Sequence, residues 1–229
     1  MNYDFTITKD AVTPDNIIEA IQEYGIAHIP EYADMSNIET TMRQLLDSET
    51  DSSYEFGKAA RYRGDDLNKL PQEILDLFDN ELSRSITQKF FEERPHHFNQ
   101  EIFITHEYQN DNGLARNGFL HFDRMLTFKL FYYVLDTNAS NGAFSCVPES
   151  HIKGESLRCR EWAASNDYAE IGNRLAIDHP DLGYDEDSAI PIEGPAGTLM
   201  IFTTDIFHKG GIVEDNKERL IIRSHSRLT

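Results

Sequence analysis

Cysteine and basic residues are scarce in this sequence, and each scarcity excludes a class of protein. Two cysteines among 229 residues, Cys146 and Cys159, are too few for a disulfide-stapled fold, and no CxxC or CxxH spacing indicates structural zinc. Lysine and arginine number 21 against 40 acidic residues, which makes the formal net charge −19. Because such a chain repels nucleic acids and anionic lipids, we expect its partner to be a small-molecule substrate.

Long apolar runs are also missing. No window reaches the length of a membrane span, and the opening MNYDFTITKD has no basic region followed by an apolar stretch. We therefore expect a cytoplasmic protein that is a monomer or a homodimer. The hydrophobic fraction of 39% suffices for one buried core, so residues 1–229 are predicted to form a single domain.

The first 95 residues have the periodicity of helices. Apolar residues recur at helical spacing in three segments, residues 13–25, 35–49 and 70–95, and the last is predicted as one long helix. Between them, IAHIP at residues 26–30 predicts a strand. The segment GKAARYRGDD at residues 57–66 predicts an irregular, locally basic loop.

From residue 96 the pattern becomes that of an antiparallel β region. Short apolar or alternating runs are separated by Gly, Asn, Asp and Pro; they are EIFITHEY, GFLHFD, FKLFYYVLD, GAFSCVP, GTLMIFT and RLIIRSHSRL. A long insertion at about residues 155–193 interrupts them. Because so long a connection in a compact domain usually serves function, we predict that it is a lid.

The stretch GFLHFDR carries the first candidate site residues. Alternate residues of a strand point to the same side, so His121 and Asp123 face one way and Phe122 faces the other. One imidazole and one carboxylate are two of the three ligands in the facial triad that binds non-haem Fe(II). On its own HxD is usually structural, and a third ligand is needed.

His208 is the best third ligand, because it follows the apolar run GTLMIFTTDIF and precedes a KGG turn. Eleven residues later, Arg219 opens the last strand. If the intervening loop is a hairpin connection, Arg219 returns to the neighbourhood of His208, where its guanidinium can bind a carboxylate through two hydrogen bonds. Arg223 points to the same side of the strand and is an alternative anchor.

Two blocks of the sequence resemble the phytanoyl-CoA dioxygenase family of Fe(II)- and 2-oxoglutarate-dependent oxygenases. The first block is HFDRMLTFKLFYYVLDTNASNGAFSCVPESHIKGE, in which Glu149 replaces the glycine of the family's PGSH-type motif. The second is GPAGTLMIFTTDIFHKGGIVEDNKERLIIR, in which Thr198 replaces the aspartate of a Gly-Asp pair. The resemblance covers most of the chain and is weak over residues 50–100 and 155–193.

The resemblance implies a mainly β fold with flanking helices, the double-stranded β-helix or jelly-roll of cupin-like proteins. The helical part would be residues 1–95 and the β-helix core residues 96–229. It also implies that three residues bind iron, namely His121, Asp123 and His208, that Arg219 binds the distal carboxylate of 2-oxoglutarate, and that O2 is consumed. Asp123 fills the position that related halogenases leave to chloride, which argues against halogenation. Hydroxylation is the expected outcome, with desaturation, epoxidation and ring closure as open alternatives, and we expect an amino-acid-like or natural-product substrate.

Several interpretations stay open at this point. His106 shares a strand face with Ile102 and Ile104, so it either hydrogen-bonds the cosubstrate or is a satisfied core histidine. Arg61 and Arg63 either accept a substrate carboxylate at a pocket mouth or are solvated surface charges, and the role of Arg124 is undecided. A non-oxidative cupin-like metalloenzyme, which would not need Arg219, and a catalytically silent binding protein are the alternative functions.

Overall fold

Helices cluster in the N-terminal part of the molecule, as predicted. The computed structural model describes residues 3–49, 54, 56–108, 118–164, 174–176 and 183–229. The α-helices in these residues are α1 (Pro14–Tyr24), α2 (Ser36–Ser48), α3 (Gln72–Phe78), α4 (Glu81–Phe90) and α5 (His151–Ala164). The Thr13 hydroxyl accepts a hydrogen bond from the first turn of α1, and Gly25 ends that helix with a left-handed φ of 81°.

Eleven strands in the described residues form two antiparallel sheets. In chain order they are β1 (Ile26–Ile29), β2 (Gly57–Arg63), β3 (His96–Glu107), β4 (His121–Asp123), β5 (Thr127–Tyr133), β6 (Ser145–Val147), β7 (Arg174–Ala176), β8 (Ile190–Pro191), β9 (Leu199–Thr203), β10 (Phe207–Lys209) and β11 (Arg219–Leu228). One sheet has the order β1-β9-β5-β11-β3-β2 and the other the order β7-β4-β10-β6-β8.

The six-stranded sheet is covered on both sides, which explains its near-continuous apolar strands. On its outer face, Ile104, Leu130 and Ile222 join one hydrophobic cluster with residues of the four N-terminal helices. On its inner face, Phe131 and Ile221 join a second cluster with residues of the smaller sheet and its connections. Two antiparallel sheets facing each other across an apolar interior form the predicted double-stranded β-helix with flanking helices.

The basic segment predicted as a loop is a strand. Residues 57–63 form β2 at the edge of the larger sheet, paired with β3 from Gly57 opposite Glu107 to Arg63 opposite Glu101. Side chains do alternate along this strand. Ala60 and Tyr62 join the hydrophobic cluster that faces the helices, while Arg61 and Arg63 point to the opposite face of the sheet.

The predicted long helix over residues 70–95 is wrong in one respect, because it is two helices. The helix is interrupted at Asn80. The Asn80 side chain accepts a hydrogen bond from the Ser83 N–H at 3.0 Å, and the Asn80 N–H donates to the Ser83 hydroxyl at 3.0 Å. This reciprocal pair starts α4 anew. The apolar stripe still runs through both helices, with Ile74, Phe78 and Ile86 fully buried.

Of the predicted lid at about residues 155–193, residues 165–173 and 177–182 lie outside the described residues. Within those residues, no helix has the length and apolar character that crossing a bilayer requires.

Candidate metal centre

The three predicted ligands converge at the centre of the smaller sheet. β4 and β10 are antiparallel neighbours with His121 directly opposite His208, and the two imidazole rings are 4.5 Å apart at their centroids. Asp123 lies two residues beyond His121 on the same strand face. One donor atom from each of the three residues lies within 4.8 Å of the other two, which is the spacing at which a single ion can bind all three.

Backbone carbonyls orient both imidazoles toward this common point. His121 Nδ1 is 2.6 Å from the Phe119 carbonyl oxygen, and His208 Nδ1 is 2.7 Å from the Ile206 carbonyl oxygen. Because a carbonyl only accepts, each Nδ1 carries the proton and each Nε2 keeps its lone pair. Two imidazoles held through Nδ1 in this way present Nε2 to a divalent metal.

The protonation states also suit a metal. Burial lowers the pKa of His208 well below its usual value, and the nearby His121 and Lys129 lower it further. Burial alone would raise the pKa of Asp123, but Lys129, whose Nζ lies 3.0 Å from Oδ2, and the two histidines hold the pKa of that carboxyl well below its usual value. The site therefore presents one carboxylate and, at His208, a neutral imidazole beside the imidazole of His121, a donor set that fits Fe(II).

Arg219 is the largest fully buried side chain in the described residues, with 2% exposure. Its guanidinium donates to the Gly142 carbonyl and to the carboxylate of Glu107, which also accepts from the Tyr54 hydroxyl. Its Nε has no hydrogen-bond partner among the described residues. A buried guanidinium N–H left unsatisfied is costly, so this donor is suited to a ligand carboxylate.

Arg219 reaches the metal centre by a different route from the predicted hairpin. β10 belongs to the smaller sheet and β11 to the larger, so the loop between them crosses from one sheet to the other. His208 and Arg219 consequently face each other across the interior. They line one cavity with His121, Lys129, Phe131, Phe144, Phe202, Lys209, Gly210, Ile221 and Arg223.

The segment PESHIKG supports the strand that carries His208. The Phe207 N–H donates to the Ser150 hydroxyl at 2.8 Å, and Arg158 of α5 forms an ion pair with Asp205 at 2.6 Å. A Cβ on Gly154 would lie 1.8 Å from the Asp205 carbonyl oxygen, so only glycine lets α5 approach the turn this closely.

The structure does not bring His106 to the metal centre. Its strand face, shared with Ile104, packs toward the helices, and His106 Nε2 lies 2.6 Å from Glu218 Oε2. The opposite face of β3 looks inward, and from it Glu107 contacts Arg219. His106 and Glu107 are consecutive and therefore point to opposite sides of β3, as the sequence alone implies. Apolar residues on both faces of the strand concealed which side is internal.

Lys129 was missed by the sequence reasoning. It interrupts the apolar run FKLFYYV, and a lysine inside a buried strand is a signal for a buried acidic partner, here Asp123. Of the other basic residues, Arg124 is buried, and Arg61 and Arg63 both pair with Glu101.

The sequence also matches a known family over nearly its whole length. The family model described as phytanoyl-CoA dioxygenase (PhyH) covers residues 5–220. The chain belongs to the phytanoyl-CoA dioxygenase family. This membership confirms the enzyme class predicted from the motifs, a 2-oxoglutarate-dependent dioxygenase with Fe(II), 2-oxoglutarate and O2 as cofactors.

Solved structures share the fold of this phytanoyl-CoA dioxygenase family member at low sequence identity. The epimerase SnoN in complex with Fe3+, alpha ketoglutarate and nogalamycin RO has a TM-score of 0.68 at 12% identity, covering 94% of this chain and 83% of that chain. The carbocyclase SnoK has a TM-score of 0.65 at 14% sequence identity, covering 96% of this chain and 86% of that chain. HygX from Streptomyces hygroscopicus, with nickel and 2-oxoglutarate bound, has a TM-score of 0.63 at 13% sequence identity, covering 95% of this chain and 88% of that chain. No curated protein matches the sequence.

Proposed function

We propose that this enzyme hydroxylates a small molecule, amino-acid-like or an intermediate of natural-product synthesis, and releases succinate and CO2. In this proposal His121, Asp123 and His208 hold Fe(II), and Arg219 holds the distal carboxylate of 2-oxoglutarate. The observation that carries the proposal is the convergence of a His-Asp-His donor set and a buried arginine with an unsatisfied Nε on one cavity.

The residues of the chain have distinct tasks in this reaction. When bound, Fe(II) with 2-oxoglutarate supplies the oxidising chemistry. Asp123, held ionised by Lys129, contributes the negative charge that retains the metal, and the carbonyl-anchored imidazoles of His121 and His208 keep their Nε2 atoms aimed at it. Three protein ligands would leave further coordination positions for the cosubstrate and oxygen.

Arg219 and the aromatic walls position the cosubstrate and exclude water. A guanidinium anchored by Gly142 and Glu107 cannot swing away, so its Nε–H marks a fixed place for the distal carboxylate. Three phenylalanine rings form the apolar wall beside the histidines: Phe131, Phe144 and Phe202. A dry wall prevents side reactions at an oxidising centre.

The structural relatives support a small-molecule substrate. The SnoN structure contains nogalamycin RO and a HygX structure contains hygromycin B. The relatives are described as an epimerase and a carbocyclase as well, so the product must be identified directly by mass spectrometry. A hydroxylated product is one oxygen atom heavier than its substrate.

Anaerobic addition of Fe(II) and 2-oxoglutarate to the purified protein tests the proposal. A weak visible charge-transfer band is expected only with both additions, and it should disappear in H208A. The matched control is H97A, because His97 is an exposed histidine on β3 outside the cavity.

Succinate release on aeration then separates the candidate functions. A band with substrate-dependent succinate supports the oxygenase. Metal binding without a band and without succinate supports the non-oxidative metalloenzyme instead, and absence of metal binding supports a silent binding protein. Either of the last two results overturns the proposal.

A further inference from the structure

A row of inward-facing side chains runs from the metal cavity to the rim of the larger sheet. In the sheet register Arg61 lies opposite Phe103, Phe103 opposite Arg223, and Arg223 opposite Phe131. These four residues occupy four adjacent strands and point to the same side. Phe131 and Arg223 line the cavity that contains the two metal-binding histidines, while Arg61 at the other end is 47% exposed.

The two arginines of this row both stack on Phe103. The guanidinium carbon of Arg223 is 4.2 Å from the ring centroid and that of Arg61 is 4.7 Å from it. They come from β11 and β2, the two strands that flank β3, so the ring lies between them. Stacking holds a guanidinium flat while its N–H edge stays directed at a ligand, which is the geometry used to bind oxyanions.

Charge at this rim opposes the charge of the rest of the molecule. Arg61 and Arg63 face the buried carboxylate of Glu101, which forms an ion pair with Arg61 at 3.1 Å and with Arg63 at 2.9 Å, and Arg223 lies on the same side of the sheet. Burial would raise the pKa of Glu101, but its contacts with His225, Arg61 and Arg63 lower it to about 2, so the carboxylate is ionised. Among the described residues, three arginines against one carboxylate make this cluster net positive in a chain of formal charge −19. Such a local field concentrates anions at an opening.

We propose that Arg61, Phe103 and Arg223 form the subsite that binds an anionic group of the substrate, a carboxylate or a phosphate, between the metal cavity and the rim of the sheet. The inference rests on the proposed function, because it takes Arg219 as the anchor of 2-oxoglutarate. Arg219 and Arg223 are four residues apart on an extended strand, a separation of about 13 Å along the backbone. A cosubstrate held at Arg219 therefore leaves Arg223 for a second anion.

The test uses three small probes that share a phenyl ring: phenylacetate, phenyl phosphate and the neutral phenylacetamide, which has the shape of phenylacetate. Calorimetric titration of the full chain, loaded with Ni(II) and 2-oxoglutarate, should show that one or both anions bind at least about tenfold more tightly than the amide, as expected for charge-assisted hydrogen bonds. Comparison of phenylacetate with phenyl phosphate identifies which oxyanion the subsite prefers.

R223Q and R61Q should each remove most of that preference and leave the affinity for 2-oxoglutarate within about twofold of wild type. R61Q changes an exposed side chain, so it remains informative if R223Q folds poorly. The matched control is R84Q, because Arg84 also stacks on a phenylalanine, Phe98, with 5.0 Å from its guanidinium carbon to the ring centroid, and does not line the cavity.

Three results would overturn the subsite: anions that bind no better than the amide, variants that bind the anions as wild type does, or loss of 2-oxoglutarate affinity in R223Q. The last would make Arg223 the cosubstrate anchor. Failure of the proposed function has a different signature, because the wild-type protein would then fail to bind Ni(II), or the Ni(II)-loaded protein would fail to bind 2-oxoglutarate.

Discussion

Removal of the Glu107 carboxylate should destabilise the fold through Arg219. Both side chains are buried, with 7% exposure for Glu107 and 2% for Arg219, so E107A leaves a guanidinium charge in the interior with the Gly142 carbonyl as its remaining hydrogen-bond acceptor among the described residues. Breaking a buried ion pair from one side costs about 3–5 kcal/mol. For a chain of this length that corresponds to a fall in Tm of about 6–20 °C.

Thermal unfolding by circular dichroism measures this loss, and E107Q is the matched control. The amide keeps the shape and an acceptor oxygen, so its cost should be smaller, about 1–3 kcal/mol. Saturating 2-oxoglutarate with Ni(II) should raise the Tm of E107A more than that of wild type, because the bound carboxylate supplies the missing negative charge. A Tm for E107A within about 2 °C of wild type, less than 1 kcal/mol, would refute the reasoning.

Three further predictions concern stability. The metal-free protein should lose stability as the pH falls below 6.5. Burial lowers the pKa of His28 to about 4 and that of His225 to about 3 in the folded state, so both histidines are protonated first in the unfolded chain. The midpoint of urea unfolding should fall, and H28Q should reduce the dependence of the free energy of unfolding on pH by about 1.4 kcal/mol per pH unit. E149G should stabilise by about 0.5–1 kcal/mol in the same assay, since Glu149 has a left-handed φ of 67° where glycine is unstrained. G154A should destabilise by about 1–3 kcal/mol, measured by thermal unfolding, because its Cβ would overlap the Asp205 carbonyl. A flat pH profile, a destabilised E149G or an unchanged G154A would contradict the respective argument.

Local features of the fold were predictable because neighbours in the chain decide them. The Thr13 hydroxyl caps the start of α1, and the left-handed backbone of Gly25 ends it. The helix break at Asn80 was equally local, but apolar residues spaced four apart on both sides of it concealed the break. β2 was missed because arginines at every second position made a strand appear to be a basic loop.

The sequence by itself determined the metal-binding residues and the anchor arginine as candidates. Strand alternation places His121 and Asp123 on one side, and the order of HxD, His and Arg is a property of the chain. The tertiary structure decided which face of each doubly covered strand is internal, because packing of helices on one side and the second sheet on the other is what distinguishes them. That choice turned His106 outward to Glu218, set Glu107 against Arg219, and made Arg223 part of the cavity wall.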